Sequence, residues 1–196
     1  PEFSIPTLKI LQKSKHKIIC VYTQPPQKKS RGQKILKTAV HIFSENEGMK
    51  VKTNQLSEKN EYEDFIRLNA DLVVVVAYGQ IIPDIYLKNP NLIFLNVHAS
   101  LLPKFRGAAP IERALLNKEK ETGISIMKIK KKLDAGPFIK QAKVKISKET
   151  TSGELLKKLS VIGAEALNES IELISSGKAV FKEQNEKEAT YAKKID

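Results

Sequence analysis

Two stretches, DLVVVVAYG (Asp71–Gly79) and NLIFLNVH (Asn91–His98), decide the fold. Each is a short, continuous apolar run rich in β-branched or bulky residues, the pattern of a strand covered on both faces. Around them the periodicity alternates. Ile5, Leu8, Ile10 and Leu11 predict a short amphipathic helix after Pro6, KIICVY (Lys17–Tyr22) a strand, and MKVKTNQ (Met49–Gln55) a weaker strand. EYEDFIRLN (Glu61–Asn69) predicts a helix. AAPIERALLN (Ala108–Asn117) predicts another, with Pro110 in its first turn, and TGISIMKI (Thr122–Ile129) and PFIKQAKVKI (Pro137–Ile146) are two further strands. The best-specified helix follows. Thr151 and Glu154 stand in capping-box spacing, apolar residues recur at 155, 156, 159, 162, 166, 167, 171 and 174, and Gly177 closes it. Strands alternating with helices predict an α/β fold with a Rossmann-like, open, mostly parallel sheet and helices on both faces, whose ligand sites lie beyond the carboxyl ends of strands.

At 196 residues the chain suits one domain, 1–196, with a sizeable core. Its longest apolar run is far short of the roughly 20 residues that cross a bilayer, and no secretory leader is visible at PEFSIPTLKILQK, so no membrane partner is expected. One cysteine, Cys20, excludes an internal disulfide framework and fits a reducing, cytoplasmic compartment. His16, His41 and His98 show no metal-ligand spacing, and no metal is expected. The formal charge of +12 favours polyanionic partners. It is concentrated in TQPPQKKSRGQKILK, where Lys28, Lys29, Arg31, Lys34 and Lys37 occur with no acid, and two prolines and a glycine predict a loop. On charge alone that loop is either a nucleic-acid contact or a solvated surface.

Asn96 and His98 end an otherwise apolar strand. Side chains alternate along a strand, so the two share a face at its carboxyl end. The loop SLLPKFRGAAP follows, with backbone groups, a stiffening proline and Gly107, where the chain can approach a ligand closely. Further on, KKLDAGPFI places Asp134 in a turn between strands, where a carboxylate reaches the same crevice. The residues by themselves leave open a plainer reading, in which Asn96 and His98 are satisfied strand-end residues and Asp134 a turn former.

NVHASLLPKFRGAAPIERALL, with TGISIMKIKKKLDAGPFIKQ downstream, resembles the 10-formyltetrahydrofolate-dependent formyltransferase family. The family motif is Asn-x-His before Ser-Leu-Leu-Pro, with Asp-x-Gly some thirty-odd residues later, and Asn96, His98 and Asp134 fall on it. RGAAPIERAL is more similar to the members that act on methionyl-tRNA than to the purine-pathway ones, and VYTQP, AYGQIIP and ATYAKKID extend the resemblance along the chain.

The resemblance implies transfer of a formyl group from 10-formyltetrahydrofolate to the α-amino group of methionine on initiator tRNA, in translation initiation. It implies a tetrahedral intermediate stabilised by Asn96 and His98, with Asp134 assisting proton transfer. Folate is expected against Ser100, Leu101, Leu102 and Pro103, with a cis Leu102–Pro103 bond. The acceptor stem of tRNA is expected on Lys28, Lys29, Arg31 and Lys34, with KIKKK (Lys128–Lys132) as a further phosphate contact or a solvated edge. The complete enzyme is expected to be a bacterial-type monomer. Relatives begin with a short β-strand ending in Gly-Thr before the segment matching Pro1, and carry a β-rich tRNA-binding domain after the segment matching Asp196. Both are expected to be missing from this chain, leaving an open slot between KIICVY and DLVVVVAYG or NLIFLNVH. The alternatives are another formyl-folate enzyme with a different acceptor, and a non-catalytic RNA-binding module on the same fold.

Overall fold

The computed structural model describes residues 1–29 and 34–195. In chain order they form α1 (Ile5–Lys13), β1 (Val21–Tyr22), β2 (Gln27–Lys29), β3 (Lys34–Leu36), α2 (Ala39–Asn46), β4 (Val51–Lys52), α3 (Glu61–Arg67) and β5 (Leu72–Val75). Then come α4 (Asp84–Leu87), β6 (Ile93–His98), β7 (Arg106–Gly107), α5 (Pro110–Leu116), β8 (Glu121–Lys128), β9 (Phe138–Lys145), α6 (Ser152–Ser175) and β10 (Tyr191–Ala192).

The principal sheet has the order β5-β6-β8-β9. β5 and β6 are parallel, with Val75 opposite Asn96. β8 runs antiparallel to β6, placing Met127 opposite Asn96 and Ser125 opposite His98, and β9 runs antiparallel to β8. The connection from β8 to β9, residues 129–137, is too short for the crossover that a parallel pair requires. β1 and β4 form a separate parallel pair.

Alternation along β6 divides the core between two faces. Leu95 and Val97 pack with Ile124 and Ile126 of β8 and with Leu155, Leu159, Leu167 and Ile171 of α6. Phe94 faces the other way, stacked on Phe65 of α3 at 6.2 Å, in a cluster with Leu56, Ile82 and Tyr86. Asn96 and His98 share the Phe94 face by register. α6 begins as its spacing predicts: the Thr151 hydroxyl accepts from the Glu154 amide, and the Glu154 carboxylate accepts from the Thr151 amide. Burying each leucine of its inner face contributes on the order of 2 kcal/mol.

Two expectations need correction. The basic segment is not wholly irregular: β2 and β3 form an antiparallel hairpin with Lys28 opposite Ile35 and Lys29 opposite Lys34. Backbone donors and acceptors of two adjacent extended segments pair whatever the side chains are, so proline and glycine nearby do not prevent it. KIICVY, conversely, is paired only at Val21 and Tyr22. A strand exists by its neighbours, and among the described strands β1 pairs with β4 alone and β5 with β6 alone. Between the facing edges of residues 18–23 and 72–78 lies a cavity of about 720 Å³, with Pro1, Ser4 and Leu8 at its wall.

Candidate active site

At the carboxyl end of β6, His98 is buried and its Nε2 lies 2.8 Å from the Phe105 carbonyl. A carbonyl only accepts, so Nε2 carries the hydrogen and Nδ1 is the nitrogen left for chemistry. Nδ1 lies 3.7 Å from Asp134 Oδ2, a distance for an ion pair with a protonated ring and too long for a neutral hydrogen bond. Asp134 sits in the β8–β9 connection with φ +46°, and its Oδ2 accepts from the Gly107 amide at 2.8 Å. Asn96 is half-buried, and its side-chain amide makes no hydrogen bond to any described residue. The structure thus joins His98 to Asp134 directly and leaves the Asn96 amide able to meet an oxygen from outside.

The Ser100–Pro103 loop follows His98, and its Leu102–Pro103 bond is cis. Its backbone is less available than the sequence suggests. Buried Ser125 of β8 donates its hydroxyl to the Ser100 carbonyl at 2.7 Å and accepts from the Leu102 amide at 3.0 Å. Gln141 of β9 donates to both the Leu102 carbonyl and Ser125 Oγ, each at 2.8 Å. Ser125 stands opposite both His98 and Gln141, so one row across the sheet fixes the loop. The legible signal was a hydroxyl in the middle of the apolar run GISIM.

A second network lies behind Gly107. Arg106 is fully buried, and its guanidinium donates twice to Gln184 Oε1 and, bidentately, to Glu186 at 2.9 and 3.1 Å. Hydrogen bonds from Arg106 and then Lys132 hold the Glu186 carboxyl down to about 2. β7 and β10 pair in parallel beside them.

The lysines of KIKKK are engaged. Lys128 lies over the Phe181 ring, while Lys130, Lys131 and Lys132 pair with Glu183, Asp84 and Glu186, which matches a solvated edge better than a phosphate contact. Lys28, Lys29 and Lys34 have their backbones in the β2–β3 hairpin, and Arg31 lies outside the described residues. Gln24, just before the hairpin, donates to the Tyr78 carbonyl beyond the carboxyl end of β5, so the hairpin springs from the side of the sheet where His98 lies. Cys20 is half-buried, and burial pushes its thiol up despite Lys50 and Lys52 nearby, which leaves it a poor nucleophile. Among the described residues no His, Cys, Asp and Glu cluster could hold a metal ion, and no helix is long and apolar enough to cross a membrane.

Residues 4–171 match the formyl transferase family, and the chain belongs to it. The match ends before Gln184 and Glu186. Among named relatives, a methionyl-tRNA formyltransferase of Pelagibacter ubique is 48% identical over all of this chain and 64% of its own length. One from Coxiella burnetii is 45% identical over all of this chain and 62% of its own length. The chain therefore spans less than two thirds of these relatives. In three dimensions it is similar to a phosphoribosylglycinamide formyltransferase from Anaplasma phagocytophilum (TM-score 0.72, 22% identity, 89% of this chain and 82% of that one). It is also similar to a 4-N formyltransferase from Francisella tularensis (TM-score 0.75, 20% identity, 98% and 72%). These show the Rossmann-like fold.

Proposed function

We propose that this chain carries the catalytic centre for transfer of a formyl group from 10-formyltetrahydrofolate to the α-amino group of methionine on initiator tRNA, in the bacterial cytoplasm. The observation that carries the reading is the His98–Asp134 pair at the carboxyl end of β6, on the strand face that Asn96 shares and where the Asn96 amide has no partner among the described residues. The names of the nearly half-identical relatives support the acceptor.

The site suits addition of an amine to a carbonyl. As the amine nitrogen bonds to the formyl carbon, the carbonyl electron pair moves to oxygen, where charge must meet donors already in place. Asn96 offers its amide N–H to that oxygen. Asp134 draws the proton from the attacking nitrogen through water, and its carboxylate, 3.7 Å from Nδ1, pairs with His98 when both ring nitrogens carry hydrogen. When the bond to the folate nitrogen breaks, that nitrogen takes the electron pair and His98 supplies a proton from Nδ1. Ser125 and Gln141 hold the Ser100–Pro103 loop beside this centre, and the donor is assigned to that loop. Lys28, Lys29, Arg31 and Lys34 are assigned to the tRNA. The reading keeps the complete protein monomeric.

The test is steady-state formyl transfer in the full-length protein with Asn96→Ala, His98→Ala or Asp134→Ala. Each is expected to lower kcat on the order of a hundredfold or more while donor affinity holds, because each acts in the transition state. Near wild-type turnover in any one removes that residue from the mechanism.

A further inference from the structure

Gln184 lies on the segment between α6 and β10. Phe138 at the start of β9 exchanges two backbone hydrogen bonds with Lys182, at 2.8 and 2.9 Å, and so ties this segment to the sheet. Two residues on, the Gln184 side chain makes four hydrogen bonds. Its Oε1 accepts from Arg106 Nε at 3.0 Å and Nη2 at 2.8 Å, and its Nε2 donates to the Asp134 carbonyl at 2.8 Å and the Gly136 carbonyl at 2.7 Å. A guanidinium only donates and a carbonyl only accepts, so the amide has one satisfied orientation. A carboxylate satisfies only the arginine side, and an apolar side chain satisfies neither.

We propose that Gln184 is a positioning residue for the Asp134 carboxylate, acting through the backbone of the 134–136 turn. Asp134 holds a left-handed conformation, φ +46°, which an aspartate tolerates better than most side chains and which contacts to the turn hold in place. Gln184 clamps both ends of that turn. Arg106, held in turn by Glu186, fixes the clamp. The neighbouring Gly107 amide then meets Asp134 Oδ2 from the other side, and the carboxylate is aimed at His98. The clamp therefore reaches the Asp134 carboxylate through the backbone of the turn.

The inference rests on Asp134 being catalytic, and a double-mutant cycle separates the two claims. Formyl transfer is measured in the full-length protein for Q184E, Q184M, D134A and the doubles Q184E/D134A and Q184M/D134A, below every melting transition. Q184E keeps the acceptor that Arg106 grips and removes the two N–H donors to the turn, and Q184M keeps the volume. Both are expected to lower kcat on the order of tenfold with KM for donor and tRNA within about twofold, because a misplaced group loses rate more than binding. Neither should have a further effect in the D134A background. A folded Q184E of wild-type kcat beside a crippled D134A would overturn the positioning role alone. The same fractional loss with Asp134 absent, or loss of the fold in both variants, would make Gln184 merely structural and overturn it too. A D134A protein of wild-type turnover would overturn the assignment of Asp134, and this inference with it.

Discussion

Replacing Gly136 by alanine tests whether the Asp-x-Gly spacing is a steric requirement. Gly136 has no positive φ, so backbone conformation alone would admit a side chain. Space does not: a Cβ there would sit 1.8 Å from the Lys128 carbonyl oxygen and 2.9 Å from its carbon, both backbone atoms of β8. Real Cβ contacts essentially never fall under 3.0 Å, so the turn must retreat by about 1.2 Å. Gln184 binds the carbonyls of both 134 and 136, and the turn therefore moves as a unit. Carried to Asp134, that displacement stretches its 2.8 Å bond from Gly107 to about 4 Å and changes its approach to His98. Overpacking of this kind costs about 1–3 kcal/mol of stability, and a misplacement near 1 Å costs on the order of a hundredfold in rate. Gly153 is the control, since a Cβ there meets nothing within 4 Å and alanine favours a helix. The assay pairs thermal melting with kcat in the full-length protein: G136A should be less stable and far slower, G153A unchanged in rate. A folded G136A with kcat within about threefold of wild type would refute the link from Gly136 to the carboxylate.

Neutralising Lys28, Lys29, Arg31 and Lys34 together should raise KM for charged tRNA and flatten its salt dependence while donor binding holds; an unchanged salt slope returns the hairpin to plain surface. Glu186, depressed to about 2 by Arg106 and Lys132, contributes stability that is present above its unfolded value near 4.3 and is lost as pH falls through that value towards 2. The melting temperature of wild type should therefore converge on that of Glu186→Gln across this window, and a constant gap would mean that the charge of Glu186 is not what Arg106 and Lys132 hold. An apolar strand of about five residues joined ahead of Pro1 through Gly-Thr should sharpen and raise the melting transition of the 196-residue chain, and an unaltered transition would show that the slot beside β5 takes no strand.

What could be read from the sequence was what depends on near neighbours or on one period. The β-branched run at Leu72–Val75, the capping box at Thr151 and Glu154, and the shared face of Asn96 and His98 all follow from spacing, and each is where the spacing puts it. The turn holding Asp134 was legible for the same reason. What escaped depends on partners far along the chain. Arg106 meets Gln184 and Glu186 across nearly eighty positions, and nothing near either end signals the other. The two-residue ladder of β7 with β10 is too short to leave a pattern. Ser125 lies in the middle of an apolar strand, and its role follows only from Leu102 and Gln141 placed around it by the fold.

KIICVY shows how local composition and long-range pairing can diverge. Its six residues have strand composition, yet only Val21 and Tyr22 carry a ladder. The apolar residues Ile18 and Ile19 instead line the cavity that faces Val73 and Val75. β5 offers that cavity a full edge of backbone donors and acceptors, because its one described partner, β6, takes the opposite edge. Backbone groups and apolar side chains on both walls are satisfied together by an extended apolar chain, whereas water meets the backbone groups and leaves the apolar walls wet. Composition here reports the environment a strand was selected for, and pairing reports the neighbours it has. Where the two disagree over the same six residues, the cavity that 18–23 and 72–78 line together is the place at which an added strand has to be tested.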